Sequence, residues 1–429
     1  MTLATSESLI SRFPQETLDT ILGTPGLEQE DLKSCSLVQR RWRLESQKQL
    51  FRTLHVSIKS ERIHELPEEF CRHVRCLVLD SLWSYDIKRI KALLRLAALM
   101  LTRLPHLNTL AIANASLAFE SRRSWNKFLS ALSVTDAPSL KGLILDSVVI
   151  DYMYSFHELL SQSRFRDLEE LFLRDTCFYT ADVDALHDID GYGRNAPGIY
   201  NPWPAHFTSL KSLAVLQSEH PYDIYAALCD ERCPCDISGV QRLQFVFSND
   251  SSRELSFPNP NGVFGSLTHL RTRDNQIVFP SSTIPALPLL THYCIMLILV
   301  DIHDDFPEIF DLDFEGLHAN APNLQYIILD LREVYEHGNA LTALRNGLDD
   351  IILCAPLPVS VRFVVLAPRD KIDEVREVVP RSKATRLLEV IDARDYFQAH
   401  TQFQAQRFNP WRCMPIRNVY DIDDNHYVY

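Results

Sequence analysis

The stretch CDERCPC sets Cys229, Cys233 and Cys235 within seven residues, and it is the first place to look for chemistry. Thiolates at such spacing bind zinc or act as nucleophiles. A zinc site usually needs a second ligand pair at a suitable distance, and no such pair follows. Reduced thiols beside a turn are therefore expected, with no metal. A nucleophilic cysteine needs a base or a cation nearby, and none of the ten cysteines has a convincing histidine or basic partner in the sequence. The acidic run HDDFPEIFDLDFE, His303 to Glu315, offers carboxylates of the kind calcium takes. It lacks the ligand spacing and central glycine of a calcium loop, so it reads as a solvated acidic loop. The GYG at Gly191 does not sit between a strand and a helix. No Walker loop, HExxH or GxSxG is present. The expectation is a protein that is not an enzyme and takes no cofactor.

Bulk properties narrow the class further. A chain of 429 residues, 46% hydrophobic and 23% charged, can bury a sizeable core. A formal net charge of −13 argues against a nucleic-acid binder held by phosphate contacts. Twelve glycines are few for phosphate-cradling loops. Scattered cysteines and an N-terminus, MTLATSESLI, without a signal-peptide pattern point to reduced thiols in the cytoplasm or nucleus. The sequons at Asn114 and Asn249 then carry no glycan. The apolar stretch from Ile284 to Ile302 contains two prolines and a histidine. Its continuous part is too short for a span of ~20 residues. It reads as a buried strand with its approach, and no membrane partner is expected.

What would position any site is a pattern with apolar residues at its first, fourth and sixth positions. It occurs as VRCLVL from Val74, LNTLAI from Leu107, LKGLIL from Leu140, LEELFL from Leu168 and LKSLAV from Leu210. It continues as VQRLQF from Val240, LTHLRT from Leu267, LTHYCI from Leu290, LQYIIL from Leu324 and VRFVVL from Val361. In a strand the fourth and sixth residues share one face, and the third, fifth and seventh share the other. Helical stretches such as DIKRIKALLRLAALMLTRL and SWNKFLSALS fall between copies. Strand and helix alternating every ~30 residues are the mark of an irregular leucine-rich repeat solenoid with a parallel sheet. The competing architecture is a doubly wound α/β sheet. The solenoid is expected over 56–380, with a long loop from Asp188 to Phe207 and a turn-dense connector from Phe257 to Ser266. The remainder, 381–429, is expected to be a cap or a partly disordered tail.

Near the N-terminus, LKSCSLVQRRW spaces Leu32, Cys35, Val38 and Trp42 as one apolar stripe if the segment is a single helix. Glu28, Glu30 and Asp31 precede it, where the helix dipole favours acids. The wider segment, Arg12 to Leu54, resembles an F-box of the kind found in fungal proteins. Phe13, Pro14 and Glu16 stand where that family has Leu-Pro and a nearby Glu. Leu18, Ile21 and Leu22 match its first helix. Leu32, Cys35, Val38 and Trp42 match its second, and Leu50 and Phe51 its final apolar pair. Phe13 and Gln39 depart from the commonest residues. The resemblance implies a three-helix unit over 12–55, after a tail of residues 1–11. It would dock on a Skp-type adaptor that leads to a cullin scaffold. Phe13, Pro14, Ile21, Leu32, Cys35, Val38 and Trp42 are the implied docking residues.

On that reading the chain is the substrate-recognition subunit of a cullin-RING ubiquitin ligase. It would act by proximity, without a covalent step of its own. The face formed by third, fifth and seventh positions is expected to hold a protein target. Ile144, Phe172 and Leu216 would supply an exposed apolar strip. Asp146, Arg174, Arg242, Gln244, Arg271 and Arg273 would supply polar contacts, the arginines pairing with carboxylates or a phosphate. The alternatives are a leucine-rich scaffold without a ligase role and, further off, an α/β hydrolase or transferase.

Overall fold

The computed structural model describes residues 29–38, 40–57, 66–80, 87–117, 122–150, 153–178, 208–218, 224, 227–230, 233–247, 265–273, 286–296, 314–331, 348–349, 352–353, 355, 357–358, 360–379, 388–393 and 395–396. They form a mixed α/β structure around a mostly parallel sheet of 13 strands. Its first five strands are β1 (Thr53–Ser57), β2 (Cys76–Asp80), β3 (Thr109–Leu117), β4 (Gly142–Ile150) and β5 (Glu170–Arg174). After the short β6 (Cys177–Phe178) and β7 (Thr208–Ser209) comes β8 (Ser212–Ser218). The rest are β9 (Cys235–Asp236), β10 (Arg242–Phe247), β11 (His269–Arg273), β12 (His292–Met296), β13 (Tyr326–Asp330), β14 (Arg362–Ala367) and β15 (Leu388–Asp392).

The spatial order is β1-β2-β3-β4-β5-β8-β10-β11-β12-β13-β14-β15, with β6 beside β4 and a separate β7-β9 pair. The strands on this path follow chain order, and each runs parallel to its neighbours. A doubly wound sheet reverses its order at a switch point, and no reversal occurs among the described strands. Every copy of the sequence pattern supplies one strand. The second residues of the copies form a single backbone relay. The N–H of Asn108 donates to the Arg75 carbonyl at 2.9 Å and that of Lys141 to Asn108 at 2.7 Å. The relay runs on through Glu169, Lys211, Gln241, Thr268, Thr291 and Gln325 to Arg362.

The pattern forms strands because its alternation gives each copy one face that must leave water. Leu110, Ile112, Leu143, Leu145, Leu171, Leu173, Leu213 and Val215 all enter one continuous apolar cluster. Helices close that face. In the helix Ile87–Arg103, Ile90, Leu93, Leu94, Ala97, Met100 and Leu101 are buried at helical spacing. Trp125, Phe128, Leu129 and Leu132 do the same in Arg122–Leu132. Three successive copies also bend alike. Asn114, Ser147 and Asp175, each the eighth residue of its copy, adopt φ of 51°, 55° and 46°. Short polar side chains tolerate this left-handed region better than branched ones.

Arg164 is buried on the helical side. Its Nε donates to the Pro138 carbonyl at 3.2 Å and its Nη1 to the Leu101 carbonyl at 3.1 Å. It thereby ties the end of one helix to a connector. Burial pulls its guanidinium pKa downward. The sheet also exceeds its expected limits. β1 straddles residue 55, and β15 pairs with β14 beyond Pro380. No helix among the described residues is long and apolar enough to cross a membrane.

Candidate functional site

The second face of the sheet carries the third, fifth and seventh residues of the copies from Val74 to Leu324, and it is where a target was expected. The copy from Val361 is shifted by one, against the expectation that fourth and sixth residues are always internal. There Phe363 and Val365 enter the core, and Arg362, Val364 and Leu366 lie on this face. The parallel register sets these residues in rows across the strands. In the fifth-residue row, Val78, Ala111, Ile144, Phe172 and Ala214 join Cys76 in one apolar cluster, with Leu216 of the seventh-residue row packed against it. The strip of Ile144, Phe172 and Leu216 thus exists, but the expectation that it is exposed does not hold. Ile144 is 3% exposed and Phe172 5%. A second cluster joins Cys294, Ile328, Val364 and Leu366 to Ala393 and Tyr396. The chain leaving β15 therefore returns onto this face. Burial drives the Tyr396 phenol pKa up.

Asp146, Arg174, Arg242 and Arg271, expected to meet a target, already have partners within the chain. Arg174 grips Asp146 with both Nε and Nη2, a bidentate pair on adjacent strands. Arg242 donates to Glu170 at 3.2 Å, reaching across β8. Arg271 donates to Asp330 at 3.0 Å, reaching across β12, and Asp330 is completely buried. Arg271 also lies 3.5 Å from the Met296 sulfur. Gln244 is buried in the fifth-residue row, between Ala214 and Arg271. Arg273 ends β11, and its side chain lies outside the described set. The sequence supplied the arginines and Asp146 but not the pairing, because the two members of each pair come from different copies.

The third-residue row is more open, and sequence reasoning undervalued it. His269, His292 and Tyr326 follow one another on β11, β12 and β13. The imidazoles stack with centroids 4.5 Å apart and planes 10° apart, and His292 stacks on Tyr326 at 4.7 Å and 12°. Their neighbours fix the tautomers. Thr268 Oγ1 donates its one proton to the Gln241 carbonyl at 2.9 Å. His269 Nδ1, 2.8 Å from that oxygen, must then be the donor. Thr291 and His292 repeat the arrangement. Nε2 is accordingly the lone-pair nitrogen of each neutral ring. All three rings are half-buried, with Arg242 before them in the row and Arg362 after.

At the N-terminus, Phe13, Pro14 and Ile21 lie outside the described residues. The single helix expected from Leu32 to Trp42 is two. One spans Gln29–Val38 and the next Arg40–Leu50. Val38 ends the first, while Trp42 belongs to the second and does not share a helix face with Leu32 and Cys35. Leu32 and Cys35 are half-buried, and burial first, then Asp31, pushes the Cys35 thiol pKa up. Trp42 is half-buried with its indole N–H inside the protein, and Ser46 Oγ one turn later is also buried. Neither atom has a hydrogen-bond partner among the described residues. Leu37, absent from the expected docking set, is 79% exposed.

The thiol group also needs a correction. A histidine partner, unseen in sequence, comes from the helix Met153–Leu160. His157 hydrogen-bonds Cys233, which in turn hydrogen-bonds Cys235. All three side chains are buried. Cys235 and His157 together hold the Cys233 thiol down to about 5. His157 is pulled down by burial, but Cys233 and the Ala227 carbonyl outweigh this and raise it. Cys235 is pushed up by its bond to Cys233 and by burial, so it remains a thiol. Among the described residues no group of three or more His, Cys, Asp or Glu side chains is arranged to hold a metal ion.

The chain matches no protein-family model, and the curated proteins contain no relative that matches it.

Proposed function

We propose that the chain is the substrate-recognition subunit of a cullin-RING ubiquitin ligase, an F-box-like unit followed by an irregular leucine-rich repeat solenoid. The observation that carries this reading is the unbroken succession of parallel strands, one per sequence copy, directly after a pair of helices whose residues match the F-box pattern. The helical unit docks on a Skp-type adaptor through Phe13, Pro14, Ile21, Leu32, Cys35, Val38 and Trp42, and Leu37 extends this set. The target lies along the half-buried row of His269, His292 and Tyr326, with Arg242 and Arg362 at its ends. This assignment uses groups whose rings are partly accessible, leaves the Asp146–Arg174 and Arg271–Asp330 pairs untouched, and asks only Arg242 to share its guanidinium with Glu170. Flat rings beside guanidinium groups suit protein recognition.

A leucine-rich scaffold without a ligase role is the second reading. The internal indole N–H of Trp42 favours it, because an anchor buried in its own chain has less to offer an adaptor. Affinity purification of the full chain and of a form lacking residues 1 to 55 separates the two readings. The ligase reading expects adaptor and cullin to be lost together on truncation, with the target retained. An unchanged partner set would leave the plain scaffold.

A further inference from the structure

We propose that Cys233, Cys235 and His157 form a peroxide-reactive site that ends in a reversible Cys233–Cys235 disulfide. The site is assembled from separate parts of the chain. His157 Nε2 lies 2.7 Å from the Ala227 carbonyl. A carbonyl only accepts, so Nε2 carries a proton, and Nδ1 is the nitrogen left for Cys233. A nucleophile, its base and a group that orients the base are thus in series. Pro234 alone separates the two cysteines, and Cys235 begins β9. The chain bends at Pro234, and the two thiols are within hydrogen-bond reach of each other. The Cys233 N–H donates to the Asp230 carbonyl at 2.8 Å, and Asp230 and Cys229 are half-buried. The site therefore lies one residue layer below the surface. Cys233 is 3% exposed and Cys235 4%, so the proposed oxidant is a small one. The described cysteines form no disulfide with one another.

The reaction balances with hydrogen peroxide as the sole oxidant. The Cys233 thiolate attacks one peroxide oxygen, and the O–O bond breaks. Cys233 becomes a sulfenic acid, and the departing hydroxide takes the His157 proton and leaves as water. The Cys235 sulfur then attacks the Cys233 sulfur. The S–S bond forms, the S–O bond breaks, and the hydroxyl leaves with the Cys235 proton as a second water. Two thiol sulfurs lose two electrons in all, and peroxide is reduced to two waters.

The choice of pH decides the test. At neutral pH a thiolate of low basicity gains in population but loses nucleophilicity, and the two nearly cancel. At pH 5.5 an ordinary thiol is only about one-thousandth thiolate, whereas Cys233, held to about 5, is mostly thiolate. Its lower basicity takes back roughly 40-fold. A net advantage on the order of tenfold remains over ordinary cysteines. The full-length protein is treated with equimolar hydrogen peroxide at pH 5.5 and mapped by mass spectrometry. The peptide spanning Cys233 and Cys235 should lose two hydrogens on the order of tenfold faster than Cys177 or Cys229 is oxidised. Reductant should restore it. Cys235→Ser should leave a sulfenic acid on Cys233 that dimedone traps, and His157→Asn should move the reaction's midpoint to higher pH. Oxidation of Cys177 or Cys229 as fast as Cys233 in the wild-type protein would overturn the proposal. So would a folded Cys235→Ser protein with no dimedone adduct at Cys233.

Discussion

On one face of the sheet, Leu110, Leu143, Leu171, Leu213, Leu243 and Leu270 occupy the same place in successive strands and enter one apolar cluster. On the other face, the same register brings together Asp146 with Arg174, Glu170 with Arg242, and Arg271 with Asp330. The first face repeats one solution from β2 to β13, and the copy from Val361 meets it shifted by one residue, with Phe363 and Val365. The second changes from copy to copy: aliphatic at β3 and β4, ion-paired through the middle, aromatic and imidazole at β11 to β13. A face that only has to close a core tolerates repetition. The variable face is where one copy differs from the next, and so it is where recognition can be encoded.

The comparison breaks most sharply at Arg271. Its loss strands the fully buried Asp330 carboxylate without its cation. Arg271→Ala should cost about 3–5 kcal/mol, read as a fall in the denaturant midpoint. Arg271→Met with Asp330→Leu should recover most of that loss, because removing both charges leaves neither uncompensated. The neighbours Leu143 and Ile144 sharpen the contrast, since they point to opposite faces and both are buried. Leu143→Ala and Ile144→Ala should each cost about 2–4 kcal/mol. A cost for Ile144→Ala near zero would mean that the second face is open.

A smaller effect follows at the ring stack. His292 lies between His269 and Tyr326. His292→Ala should cost about 1 kcal/mol in thermal or chemical unfolding. The smallest effect belongs to the rim. Glu169 is pushed up by burial, but Lys141 and Lys211 hold it below its ordinary value. These partners are more than half exposed. Lys141→Ala should cost less than about 0.5 kcal/mol and should matter less still in high salt. A depressed carboxylate stabilises the fold above its unfolded pKa. What this group contributes is lost as pH falls through its folded value.

The core face was legible because burial imposes one rule on every copy. The positions of Leu140, Leu143 and Leu145 announce a strand without any partner being known. The amphipathic spacing in Ile87–Arg103 is equally plain. The second face was not legible in the same way. Arg271 and Asp330 stand 59 residues apart, and nothing local says that the register will join them. His157 and the Cys233 site are separated in the same manner, and only the fold supplies the base. At the N-terminus the spacing of Leu32, Cys35, Val38 and Trp42 fits an uninterrupted helix, and it gave no sign that Trp42 starts on another. The exposed Leu37 was missed because the stripe was drawn through its neighbours.

The central claim is adaptor docking, and titration of the purified full-length chain with a purified Skp-type adaptor tests it most directly. The account predicts saturable one-to-one binding with Kd near or below roughly 1 μM. A Phe13→Ala/Pro14→Ala double variant with an unchanged unfolding transition should bind at least about tenfold more weakly. Absence of binding by the wild-type chain, or full-strength binding by that folded double variant, would contradict it.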